Sequence, residues 1–104
     1  MPPTLATFHD VLAPRWHAAK GPERMHDTCG AIDELARDAD AAAHAQPPAG
    51  ADARAWTVET TRLVGAVSEL GDTCKANDAA KFEDAFATVH TAFHAALETA
   101  SPGR

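Results

Sequence analysis

The stretch TVHTAFHAAL, Thr88 to Leu97, carries two histidines four residues apart, His90 and His94. On a helix that spacing stacks two imidazoles on one face, one turn apart. Imidazole nitrogens arranged in this way are ligands for Zn, Cu or Ni. The pair lacks the glutamate of the HExxH zinc-protease signature, so the pattern points to binding rather than hydrolysis. Two half-polar rings at the wet edge of a helix are the simpler alternative. His9, set between Leu5 and Leu12, is the histidine most in need of a partner, because a buried imidazole must satisfy its nitrogens.

Cys29 and Cys74 are the second constellation, and three uses are open to them. A disulfide would close a loop of about 45 residues and stabilise the fold by about 4 kcal/mol on the chain-entropy model. Two buried free thiols would simply fill core volume. With His17 and His26 the cysteines would make a soft and borderline ligand set, though no C-x-x-C pair supports it. His44, next to a long loop, reads as a solvated helix-end residue.

Other chemistries find no foothold. There is no Gly-rich phosphate loop and no strand to hold a nucleophile elbow. A di-iron carboxylate bundle needs paired Glu-x-x-His motifs, and Glu23 with His26 is a single copy. Asp33, Glu34, Asp38 and Asp40 are expected on the outer face of their helix. No enzymatic activity is therefore expected. The net charge of −6 lacks the basic stripe that nucleic acid or an anionic membrane surface would need. No apolar run approaches the roughly 20 residues that span a bilayer, so a soluble product without membrane insertion is expected. The start, MPPTLATF, shows no signal peptide, but a mature exported chain with an added methionine would begin in the same way.

These residues must be positioned by the elements between the chain's breaks. QPPAGAD, Gln46 to Asp52, interrupts any helix and divides the 104 residues into two similar halves. AAKGPER, Ala18 to Arg24, and CKAND, Cys74 to Asp78, divide each half again. Pro22 suits a first helical turn, and Asn77 or Asp78 can cap the helix that follows. The four segments repeat apolar residues at three- and four-residue intervals. The stripes are Leu5, Phe8, Leu12 and Trp16; Met25, Cys29, Ile32, Ala36 and Ala39; Trp56, Thr60, Leu63, Val67, Leu70 and Cys74; and Phe82, Phe86, Val89, Phe93 and Leu97.

The reading is one all-α domain, an antiparallel up-down-up-down four-helix bundle with helices at about 4–19, 22–44, 52–75 and 78–100. Pro14 is expected to kink the first helix or restart it near Ala13. The first and last helices should be neighbours, with His9 and His90 nearly level and His94 turned further toward solvent. Phe82, Phe86 and Phe93 are core residues first.

The length, the four-helix pattern and the candidate ligands on the first and last helices resemble small periplasmic cytochromes of the b and c-prime type. That resemblance implies haem held by His9 and either His90 or His94, for electron transfer. The chain departs from it where a c-prime cytochrome has C-x-x-C-H, since the corresponding region reads VHTAFH, so covalent attachment is excluded. The usual methionine ligand is also missing from the interior of the first helix. FHDVLAPRWH and FATVHTAFH are also similar to exported bacterial helical bundles, which gives weight to export and hence to a Cys29 to Cys74 bridge.

The expectation is thus a periplasmic or secreted bundle, with the cytoplasm as the alternative location. It would bind a transition metal, Zn, Cu or Ni, through His9, His90 and His94. Noncovalent haem and a cofactor-free structural or partner-binding module are the alternatives. A homodimer through Trp16 or Trp56 is left open, and no protein partner can be named.

Overall fold

A computed structural model describes residues 1–100 of the chain. Every regular element among them is helical: α1 (Pro3–Trp16), α2 (Pro22–Gly30), α3 (Ile32–His44), α4 (Ala53–Lys75) and α5 (Ala79–Thr99). No helix among these residues is long and apolar enough to cross a membrane.

The starts of the helices follow local chemistry. Asp52 accepts the Ala55 N–H at 2.9 Å and Asp78 the Lys81 N–H at 3.2 Å, satisfying donors that a first turn leaves unpaired. Pro22 occupies the first turn of α2. Asn77, just ahead of α5, takes the left-handed conformation with φ 53°, which asparagine tolerates better than most residues. Pro14 lies in the last turn of α1, and the helix runs through it to Trp16 rather than restarting near Ala13.

The segment expected as one helix over 22–44 is two. Ala31, with φ −103° and ψ 6°, separates α2 from α3, and its N–H donates to the Thr28 carbonyl in a tighter turn. Gly30, exposed and without a side chain, weakens the helix at that point. The break frees α2 to follow its own course, so this nine-residue helix meets α1, α3, α4 and α5 together.

The core is a single cluster. Leu5, Phe8 and Leu12 from α1, Leu35 and Ala39 from α3, Trp56, Leu63 and Leu70 from α4, and Phe82, Phe86 and Phe93 from α5 are all buried in it. Three expected stripes hold. The second is displaced by one position as far as Leu35 and holds at Ala39: Arg24, Thr28, Ala31, Leu35, Ala39 and Ala42 face inward, while Met25, Cys29 and Ile32 flank the core and Ala36 is exposed. Two polar residues occupy inward positions there, which an apolar count passes over. Trp56 is 1% exposed and belongs to the core, so it presents no surface for a dimer.

Candidate metal site

α1 from His9 onward, with His17 just past its end, and the middle of α5 line a cavity of about 220 Å³. Four of the six histidines line it: His9, His17, His90 and His94. Trp16 and Phe93 supply its aromatic walls.

The one-turn spacing on α5 brings the His90 and His94 Nε2 atoms to 3.1 Å, with ring centroids 4.5 Å apart and planes at 74°. Two states fit that distance. Without a cation, one Nε2–H donates to the other Nε2. With a cation about 2.05 Å from each nitrogen, the separation corresponds to an angle of about 100° at the ion, between octahedral and tetrahedral values.

His90 is fixed by its surroundings. The Trp16 ring stacks on it with centroids 4.0 Å apart and planes 9° from parallel. Trp16 also meets Phe86 edge-on at 5.4 Å. Burial lowers the His90 pKa, and the charges of His94, His17 and Arg24 push it down further. The neutral imidazole, which keeps a lone pair for a ligand, is thereby favoured. His90 is half-buried and His94 exposed, as the edge of the α5 stripe predicts.

His9 is placed differently from expectation. It is half-buried at the stripe's edge, because Phe8 and Leu12 take the inward positions. Its ring contact is with Phe93, at 5.6 Å between centroids, one turn further along α5 than His90. The α1 ring that lies against His90 is that of Trp16. The His9–Phe93 contact thus lies roughly a turn, about 5 Å, further along α5 than simple height counting gives. His9 still lines the cavity that His90 and His94 share.

Arg24 is the functional residue that the sequence pattern misses. It is 4% exposed and ties its own helix, α2, to both α1 and α5. Its Nε donates to the Arg15 carbonyl at 3.1 Å, Nη2 to the Trp16 carbonyl at 3.0 Å, and Nη1 to Glu83 Oε1 at 2.9 Å. The second contact supplies a donor to the Trp16 carbonyl at the end of α1, and the first adds to the Ala18 N–H that the Arg15 carbonyl already accepts. The guanidinium also lies 4.8 Å from the Trp16 ring centroid and 4.9 Å from that of Phe86. Arg24 thus fixes Trp16, and Trp16 fixes His90. No spacing rule announces such a role. His17 had a fainter signal, since it follows Trp16 and lies two turns beyond His9.

The cysteines are joined. Their sulfurs lie 2.08 Å apart with Cα atoms at 5.6 Å, tying α2 to α4. The bridge uses both sulfurs, so the thiolate set with His17 and His26 does not exist in this oxidised chain. His44 is exposed, with Nδ1 2.8 Å from the Asp40 carbonyl, which suits a solvated helix end. Among the described residues, no three His, Cys, Asp or Glu side chains already converge on one point as a metal-holding group.

Compared with known proteins, the chain matches no family model, no curated protein and no solved structure.

Proposed function

We propose that this protein is a small, non-enzymatic helical bundle that binds a divalent transition-metal ion, Zn, Cu or Ni, at the cavity between α1 and α5. His90 and His94 form the chelating pair, and His9 is the further ligand drawn from the opposite wall. The observation that carries this reading is the 3.1 Å separation of the two Nε2 atoms, set by one helical turn. The Trp16 stack and the lowered His90 pKa support it, because both keep His90 oriented and unprotonated.

Haem is the weaker reading. The cavity's 220 Å³ falls short of the roughly 300–1,000 Å³ common for organic ligand pockets. We take α2 and α3 as one rod broken at Ala31, which gives an antiparallel four-helix bundle. Export to the periplasm or beyond is the location that suits the Cys29 to Cys74 bridge.

Calorimetric titration with Ni(II) or Cu(II) tests the site. The wild type should bind one equivalent, and His90→Ala or His94→Ala should each weaken binding by more than about tenfold. His9→Ala should weaken it less, and His44→Ala, remote from the cavity, should leave it unchanged. Equal affinity in the wild type and the His90→Ala/His94→Ala double variant would overturn the proposal.

A further inference from the structure

A second cleft, of about 600 Å³, opens beside α2. Its lining includes Met25, His26, Cys29, Cys74, Lys20 and Phe82. The sulfur and nitrogen donors of this lining come from one face of a short helix and the end of α4. Met25 and Cys29 are four residues apart and His26 and Cys29 three apart, spacings that make them neighbours on α2. Both cysteines are half-buried, so the bridge is a wall of the cleft rather than a part of the closed core.

We propose that this cleft is a redox-gated site for a soft monovalent metal, Cu(I), which forms when the Cys29 to Cys74 bridge is reduced. Its ligands are the two thiolates, with the Met25 thioether and the His26 imidazole completing the set. Thiolate and thioether donors select Cu(I) over harder ions. The site is independent of the histidine pair on α5 and does not rest on that reading.

The chemistry balances with a dithiol reductant. One reductant sulfur attacks a bridge sulfur and breaks the S–S bond, and the reductant leaves as its own cyclic disulfide. Two electrons pass to the bridge, and the two thiol protons of the reductant end on Cys29 and Cys74. Cu(I) then displaces both protons.

Opening the bridge need not release α2. Arg24 still holds that helix to the end of α1 and to Glu83 on α5. A metal about 2.3 Å from each sulfur needs them about 3.8 Å apart. Rotation of the two side chains supplies that separation from Cα atoms 5.6 Å apart.

The test uses the full chain, reduced with a phosphine that is then removed, and titrated anaerobically with Cu(I) against a competing chromogenic chelator. The His90→Ala/His94→Ala variant serves as background to silence α5. The reduced protein should take up one equivalent that the oxidised protein does not, while its helical circular dichroism is kept or restored. Cys29→Ser/Cys74→Ser should abolish that equivalent. Met25→Leu and His26→Ala should each weaken it at least tenfold. The proposal is overturned by no extra equivalent on reduction, by uptake in a chain whose helical signal is lost, or by full affinity in both the Met25→Leu and His26→Ala variants.

Discussion

At the scale of single residues, two titrating groups are held away from their ordinary behaviour in opposite directions. Burial, with the charges of His94, His17 and Arg24, lowers the His90 pKa below its ordinary 6.5. The unfolded chain then binds more protons than the native one as that imidazole titrates. The contribution of His90 to stability is present above pH 6.5 and is lost as pH falls through the native value. Denaturant melts should fall in midpoint over this window, and His90→Gln should fall less; an identical slope in both would remove His90 as the cause. In Asp38 burial comes first and Glu34 second in raising the carboxyl pKa, with Arg37 opposing them. One of its oxygens, Oδ2, is buried without a partner among the described residues. The sign is reversed here. The stabilising contribution of Asp38 belongs to pH below its ordinary 3.8 and is lost as pH rises through the raised native value. Asp38→Asn should therefore raise the melting temperature at neutral pH and give no gain in strong acid. A neutral-pH loss would show that the carboxylate has a stabilising role.

At the scale of elements, α2 shapes the histidine cavity although none of its residues lines it. Gly30 and Ala31 end it early, and Arg24 then reaches the end of α1 and Glu83 together. Hydrogen bonds to a charged group contribute about 1.5–3 kcal/mol, so Arg24→Met should cost roughly 2–3 kcal/mol in chemical denaturation. The same variant should loosen Trp16 and change its fluorescence, because the carbonyl of Trp16 loses its donor and its ring loses the cation. A stability within about 0.5 kcal/mol of wild type would mark the buried guanidinium as passive, as surface substitutions are. Helix boundaries were legible wherever a cap or a proline marks them, as Pro22, Asp52 and Asp78 do. The break at Ala31 was not, because Gly30 alone lowers helix propensity without forbidding a helix.

At the scale of the whole molecule, the bridge across 45 residues joins the first half of the chain to the second. Replacing both cysteines, Cys29→Ser/Cys74→Ser, should lower the unfolding free energy by about 4 kcal/mol through the larger freedom of the unfolded chain. Titration with a thiol reagent after denaturation without reductant should find no free thiol in the wild type. Two reactive thiols would contradict the bridge and remove the main support for export.

By itself the sequence determined the helical class, the three helix starts at Pro22, Asp52 and Asp78, and three of the four buried stripes. These depend on local spacing, which one turn of helix converts directly into a face. It also placed His94 outside His90, for the same reason. Only the tertiary structure decided that Trp16 rather than His9 lies against His90, that His17 joins the cavity and that Arg24 is buried. Those outcomes depend on how far one helix slides along another. A slide of about one turn moves every contact along α1, and nothing in a local pattern measures that offset.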